Sequence, residues 1–571
     1  MTDIPDRQLG PAWLRHVPIA QWLPRYRAAW LSHDMVAGIT LAAYAIPVSL
    51  AYAGLAGLPL QLGIYGYLLG GLAYAIFGSS RQLAIGPTSA ISLMIAATVA
   101  EMAAGDAQRY AAIASLTAVT VAVLCLMAWA LRLSALVRLI SNSILVGFKA
   151  GAGLVIAITQ VPNLLGVAGG GHNFFERAAL LVNQIGHTQG LVLAIGATAV
   201  LLLLMGDRLL PGKPVALGVV VLSILAAHVF ALSSLGVPTT GAIPAGLPSL
   251  GAPSLRLRDV EGIFPLAAGC LLLAYIESIS AARTFATKHG YTIDSRQEFL
   301  GLGAANLAAG LGHGFPVAGG LSQSAVNDKA GARTALALAI ASITLALCLV
   351  FLTELLQDLP RAVLAAVVVT AVLGLLDFRT LLRMRHVSRL DFYAAMTALA
   401  AVLLLGILQG ILLASLVSIL MLVMRASRPH VAFLGRIPGT SLYSDLSRHP
   451  ENETLSGVIA FRPEASLLYI NSDAVLQSVL NRLHLLGPAA IRLVVCDLSA
   501  SPIVDLAGSS MLHELHAELG RHGIMLRIVG AHGAVRDLLR ADGISEKVGG
   551  LERGVTLIGL VENNNDGADR R

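Results

Sequence analysis

The sequence predicts an α-helical polytopic membrane domain of about fourteen spans, followed by a small soluble α/β domain. Three observations carry this. Apolar runs follow one another closely from Asp34 to Met424, many long enough for the roughly 20 residues that a bilayer crossing needs. Only 13% of residues are charged, against about 25% in soluble domains, and mean hydropathy is +0.75. Beyond Arg428 the apolar runs shorten and alternate between strand-like and helix-like segments.

Charge and cysteine content narrow the function. The net charge is +6 and the pI near 9.2. The basic residues lie between apolar runs rather than on one face, which argues against nucleic-acid binding. Cys125, Cys270, Cys348 and Cys496 are scattered, with no metal-ligand or CxxC spacing, and read as packing residues. No metal or other cofactor is implied. Asp3 and Asp6 and the lack of an early apolar core argue against a cleaved signal peptide.

Taken in order, residues 1–33 form an N-terminal segment. Trp13, Trp22 and Trp30 stand among Arg15, Arg25 and Arg27 there, a mixture suited to the headgroup level of an anionic membrane face. An interfacial pre-helix fits residues 11–32, and the first ten fit either its continuation or a disordered tail. Spans then start near Met35, Pro59, Pro87, Tyr110, Val137, Leu191, Pro214, Phe264, Phe299, Gly320, Arg333, Pro360, Phe392 and Gln409. Alternate gaps hold the basic residues: Arg81, then Arg132 and Arg138, and so on to Arg379, Arg383, Arg385 and Arg389. By the positive-inside rule both termini are cytoplasmic, which predicts a multi-pass protein of the cell inner (plasma) membrane.

Residues Ser233 to Pro253, rich in Gly and Pro, read as an external linker between two halves. Ala43 to Ala51 can be laid on Leu273 to Ala281, and Gly86 to Ala90 on Leu321 to Ala325. Seven spans per half is an odd number, so a repeat has to be inverted. Inverted repeats hold substrate at the midplane between broken helices. Chance likeness between Ala- and Leu-rich segments is the competing explanation. The membrane domain covers 34–428 and the soluble domain 434–562, with a polar disordered tail over 563–571. In the soluble domain, strands are predicted at Gly457–Arg462, Leu467–Ile470, Ile491–Asp497 and Ile524–Val529. Helices are predicted at Ala474–Leu486, from Gly508 to about His522, and at Ala534–Ala541.

Two membrane segments depart from ordinary spans. Gly86-Pro87 breaks the backbone before Thr88, Ser89 and Ala90, and proline suits the first position of a new helix. Gly314 to Asp328 is too polar for a regular span. If each opens a half-helix near the midplane, two sets of free N–H groups and two positive dipole ends converge, which suits an anion. Re-entrant loops buried by protein would need no ligand. Glu277 interrupts the apolar run Phe264 to Ala282. An ionised carboxylate is costly there, so it either serves ion coupling or pairs with a loop lysine. Lys149 reads as a residue snorkelling to the interface, and the single His228 and His313 as packing or loop residues.

These residues resemble the sulfate permease (SulP) family of anion transporters over almost the whole chain. The likeness rests on Ile46-Pro47 through Leu58-Pro59, on Ser80-Arg81, Ile85-Gly86-Pro87 and Ile91 to Met94, and on Gln160 to Gly166. It continues through Glu277-Ser278, Gly301 to Asn306, Ser322 to Asn327 and Ala330-Gly331. Val494 to Ser499 and Asp505 to Gly508 look like a STAS domain. The resemblance implies a 7+7 inverted repeat divided into a mobile core and a stationary gate, and a homodimer. It places the anion between the N-termini of the third and tenth spans, at Thr88, Ser89 and Ala90 and at Ser322, Gln323, Ser324 and Ala325, with Tyr52 as a lining aromatic. Bacterial relatives often carry an acid at the position of Glu277, linked to proton or sodium coupling. Three departures stand out: Val48 where glutamine is common, Gln323 where several relatives have arginine, and Ala507 where regulatory relatives have a phosphorylatable serine.

The leading expectation is a secondary transporter of sulfate or a related inorganic anion, proton-coupled through Glu277. Bicarbonate or a C4-dicarboxylate, and sodium coupling, remain open within that class. A nucleobase–cation symporter would need an acid in the tenth span before Asp328, where this chain offers Ser and Gln. A membrane-anchored STAS sensor or scaffold would not need a polar midplane pocket. The sequence lacks any nucleophile–base or metal constellation of an enzyme.

Overall fold

Helices begin close to the predicted span starts in the computed structural model, which describes residues 16–133, 141–171, 173–210, 213–254, 257–373, 376–552 and 554–561. The first ten residues, Trp13 and Arg15, the start at Val137, Arg138 and the tail from Glu562 lie outside these. The helices of the membrane region are α1 (Leu31–Leu55), α2 (Gln61–Phe77), α3 (Ser89–Ala103), α4 (Ala107–Ala130) and α5 (Asn142–Leu165). Next come α6 (Phe174–Gln184), α7 (Gly190–Leu209), α8 (Val215–Val229), α9 (Leu257–His289), α10 (Ser295–Leu311) and α11 (Leu321–Lys329). The last are α12 (Leu336–Phe351), α13 (Arg361–Leu373), α14 (Phe378–Val387), α15 (Arg389–Leu405) and α16 (Ile407–Ser427). Seven stretches among the described residues are long and apolar enough to cross a bilayer, Ala28–Leu55 being the first. α2, α3, α8 and α12 are apolar but shorter, and α11 has 9 residues. The short helices start where Pro59, Pro87, Pro214 and Gly320 interrupt the apolar pattern.

The helices pack in two groups. α10 lies on α2 and α4, α9 on α4 and α3, and α12 on α1 and α2. In the other group α5 packs on α13, α15 and α7, and α13 on α7. The second group needs glycine at its closest approach: a Cβ on Gly147 of α5 would stand 1.9 Å from the Ala395 carbonyl oxygen of α15. The two fully buried carboxylates of the first group have their hydrogen bonds satisfied. Asp34 accepts from the N–H groups of Arg333 and Thr334 and from the Thr334 hydroxyl, tying α1 to the start of α12. Glu298 accepts from the Tyr74 hydroxyl and from the N–H and hydroxyl of Ser79.

Between α2 and α3 runs a two-residue strand, β1 (Ile85–Gly86), and before α11 another, β2 (Ala318–Gly319). They pair antiparallel, Ile85 with Gly319 and Gly86 with Ala318. Each strand leads directly into a helix, so α3 and α11 leave one crossing in opposite directions. Gly86 lies against the buried ring of Tyr67, where a Cβ would fall 2.1 Å from Cδ2. Gly86→Ala is therefore expected to destabilise the chain by about 1–3 kcal/mol through overpacking. Gly186→Ala, with nothing within 4 Å of its Cβ, is expected to leave stability unchanged. Thermal unfolding of the purified variants in detergent checks both.

The chain divides into two compact units, Met1–Ser418 and Ile419–Arg571. The second contains β3 (Val431–Arg436), β4 (Tyr443–Asp445), β5 (Val458–Pro463), β6 (Leu493–Asp497) and β7 (Met525–Val529), in the sheet order β4-β3-β5-β6-β7. β5, β6 and β7 run parallel, and β3 is antiparallel to β5 and β4. Helices α17 (Ser472–Leu486), α18 (Leu506–Arg521) and α19 (Gly533–Ala541) accompany the parallel strands. The core includes Phe461, Val494, Cys496, Leu512 and Leu515. All four cysteines of the chain are buried and unpaired, and burial pushes the Cys496 thiol well above its usual range. The strand expected at Leu467–Ile470 does not form. Leu467 makes a lone parallel bridge to Val504, and the Asn471 side chain then takes the Leu468 N–H and turns the chain into α17. Asp505 caps α18 by accepting from the Gly508 N–H, and also holds the Tyr469 N–H.

Candidate functional site

Several helix starts outside the β1–β2 crossing carry a side-chain cap. Asp106, Asn173, Asp294 and Asp377 each accept from an N–H of the following first turn. The two half-helices at the crossing do not, and in this they are like α1, α2, α7, α8 and α12. Thr88, before α3, and Gly320, before α11, supply no side-chain cap. The first intrahelical bonds run from Ser92 N–H to Thr88 C=O and from Ser324 N–H to Gly320 C=O. The N–H groups of Ser89, Ala90 and Ile91, and those of Leu321, Ser322 and Gln323, therefore precede the helical ladders. Both positive dipole ends lie at one place, because β1 and β2 bind the segments together.

Amide and hydroxyl side chains satisfy the extended backbone around this crossing, as any non-helical segment at membrane depth requires. Asn306 of α10 takes both polar groups of Val317, donating to its carbonyl and accepting from its N–H. Asn327 donates to the Gln82 carbonyl, and Ser278 accepts from the Gly319 N–H. Gln323 reaches from α11 to donate to the Pro87 carbonyl at 2.9 Å, so the two half-helix starts are also tied directly. The Gln323 Oε1 is buried without a hydrogen-bond partner among the described residues.

The expected site residues separate into two kinds. Thr88, Ser89, Ala90 and Gln323 are buried at the crossing, and Tyr52 of α1 is buried there too, with Ser89 acting on its hydroxyl. Ser322 and Ala325 line a cavity of about 380 Å³ shared with Tyr44 and Val48 of α1, Asp207 of α7 and Lys329. Ser324 faces elsewhere. Its hydroxyl donates to Gly320 C=O and accepts from the Ala84 N–H, so it holds β1 in place. Asn306, Asn327, Gln82 and Ser278 were not among the expected site residues, although most of them fall inside the motif segments.

Glu277 is half-buried on α9, one residue before Ser278, which brings its carboxyl to the level of the crossing. It makes no ion pair among the described residues. The charge of half-buried Lys149 on α5 and the Thr88 hydroxyl both act on it. Lys149, read from the sequence as snorkelling to the interface, is half-buried. A second cavity, of about 630 Å³, lies further along the same helices, lined by Ala51, Gly54, Gln160, Asn163 and Arg361. Along α1 and α13, Tyr44, Val48, Val367 and Thr370 border one cavity, and Ala51, Gly54, Arg361 and Leu364 the other. Among the described residues no group of His, Cys, Asp and Glu could hold a metal ion.

Comparison with known proteins matches residues 31–398 to the sulfate permease family and residues 449–556 to the STAS domain. The chain belongs to the sulfate permease family. It is a polytopic membrane transporter with a STAS domain, and not an enzyme. A probable sulfate transporter of Mycobacterium tuberculosis is 34% identical over 536 residues, covering 93% of this chain and 96% of the relative. The chloroplastic sulfate transporter 4.1 of Arabidopsis thaliana is 29% identical, covering 93% and 80%. The structure of the murine solute carrier 26 family member A9 anion transporter in the inward-facing state aligns with a TM-score of 0.83 at 21% identity. The alignment covers 95% of this chain and 93% of that one. The transmembrane domain of a cyanobacterial bicarbonate transporter aligns with a TM-score of 0.59 at 23% identity, over 69% and 98%. Two residues that the resemblance singled out have definite places. Val48 walls the cavity that Ser322 borders, and Gln323 bridges the half-helix starts.

Proposed function

We propose that this sulfate permease is a secondary active transporter of sulfate or a related small inorganic anion, coupled to protons through Glu277. The anion sits between the starts of α3 and α11, near Tyr52, Thr88, Ser89, Ala90, Ser322, Gln323 and Ala325. The observation that carries the reading is the pair of uncapped half-helix starts joined by the β1–β2 crossing. Free N–H groups and converging dipoles bind negative charge without a fixed cation. The packing of α1 against α13 and the cavities at successive levels between them support alternating access. In this reading the group with α3 and α11 moves against the group with α5 and α13, like an elevator. The protein works as a homodimer in the cell inner membrane, with both termini and the STAS domain (434–562) cytoplasmic and the transporter domain over 34–428.

A nucleobase–cation symporter fits poorly. Asp328, the acid of α11, is spent on Lys288 and His289, at the far end of the half-helix, about 10 Å from its start. The test is counter-flow in proteoliposomes loaded with unlabelled anion. Labelled sulfate is expected to accumulate transiently against its gradient, and faster than labelled bicarbonate or fumarate. Faster bicarbonate or fumarate counter-flow replaces sulfate as the substrate, and no counter-flow of any of the three ends the reading.

A further inference from the structure

We propose that a polar cavity at the start of α1 binds a phosphate group, supplied by the headgroup of an anionic phospholipid. The cavity, of about 580 Å³, opens between the chain at Pro18–Arg25, the loop after α2 at Gly78–Arg81, the turn before α10 and the start of α12. Arg25 and Arg81 line it. Both are exposed, and neither forms an ion pair among the described residues. Arg81 is held in place: its N–H donates to the Tyr291 hydroxyl, and its guanidinium lies 5.0 Å from the centre of that ring. A guanidinium offers a planar fork of N–H donors that matches phosphate oxygens.

The nearby acids leave this charge largely unanswered. Asp34 and Glu298 lie behind the cavity wall, fully buried and spent on Thr334, Tyr74 and Ser79. Asp294 is on the wall, and its Oδ1 accepts from the N–H groups of Arg296 and Gln297 at the start of α10. The balance of charge facing the cavity is positive.

The surroundings point to lipid as the source of the phosphate. Trp22 and Trp30 line the cavity, and Tyr26 packs between them at ring separations of 6.3 and 5.9 Å. The adjoining stretch Ala28–Leu55 is long and apolar enough to cross a bilayer, so this cluster stands where a span meets the headgroups, the level Trp and Tyr favour. From there Leu31, Met35, Val36 and Ile39 are exposed along α1. That apolar track gives acyl chains a path away from the cavity while the headgroup stays at the arginines.

The full chain, reconstituted in phosphatidylcholine, carries intrinsic tryptophans that brominated lipids quench on contact. Brominated phosphatidylglycerol is expected to associate at least about fivefold more strongly than brominated phosphatidylcholine, from about 1 kcal/mol per arginine at an anionic surface. In R25Q/R81Q that preference is expected to disappear while the unfolding temperature is kept, and R25Q and R81Q singly are expected to lose part of it. An unchanged preference in the folded double variant, or in both single variants should the double fail to fold, overturns the site. Displacement of brominated phosphatidylglycerol by millimolar inorganic phosphate, with phosphate binding equally in pure phosphatidylcholine, overturns the lipid as its source.

Discussion

Glu277→Gln is expected to abolish acceleration of anion uptake by an inward proton gradient while anion-for-anion exchange persists. The buried carboxylates of the membrane unit show why this one is singled out: Asp259 is paired with Arg109, and Asp328 with Lys288 and His289. Asp34 and Glu298 are fully buried, and their oxygens are filled by N–H and O–H donors that fix neighbouring loops. Glu277 is half-buried, unpaired by any salt bridge among the described residues, and next to Ser278, which holds β2. A group in that setting is free to take and release a proton as the crossing moves between sides. Glutamine keeps the shape but cannot ionise. With one proton per anion, a gradient of about one pH unit supports about tenfold accumulation, and the variant is expected to reach only about the level of a vesicle without a gradient. If Glu277 serves only as a partner for Lys149, the variant instead misfolds or accumulates like the wild type. Uptake with and without a pH gradient, beside an exchange assay on the same preparation, separates these outcomes, and gradient-driven accumulation that survives moves the coupling elsewhere.

Most helix starts of the membrane region were legible because apolar length is itself the signal there, and the helix breaks were legible at Gly86-Pro87 and Gly320. The supports of the crossing were not. Gln323 bonds to a carbonyl 236 residues away, and Asn327 to one 245 residues away. In a single sequence such amides look like any polar residue in an apolar run. Ser324 shows the reverse error in a motif: serine at a helix start suits an anion, yet its hydroxyl is filled by the Ala84 N–H and the Gly320 carbonyl. The alignment of the two halves suffers from the same ambiguity. The helix starts set Ser89 opposite Leu321, three residues from the register that lays Ser89 on Ser324, because runs of Ser and Ala match at several offsets. In the soluble unit β5, β6 and β7 stood out as apolar runs. β3 follows the last membrane helix so closely that its apolar residues read as the end of that helix's surroundings, and three-residue β4 is too short for any period to show.

Ser322→Glu is expected to lower anion uptake by at least about tenfold in a protein that still folds. Ser322 is the second residue of α11, exposed to the cavity, and precedes the helical ladder. A glutamate there can place its carboxylate against the free N–H groups and the dipole end that the anion uses. Tethered, it acts at an effective concentration in the millimolar range or above, so it competes with substrate in every cycle. Ser324→Glu would be a poorer test, because any large side chain there breaks the support of β1 and lowers transport through misfolding. Exposure at Ser322 avoids that confusion. Ser322→Gln supplies the same bulk without charge and is expected to retain most uptake, and Ser322→Ala nearly all of it. Uptake of labelled sulfate, paired with the unfolding temperature of each variant, makes the comparison. A folded Ser322→Glu that transports at the wild-type rate means that the anion does not bind at the start of α11, and equal losses in Ser322→Glu and Ser322→Gln mean that bulk, not charge, closes the path.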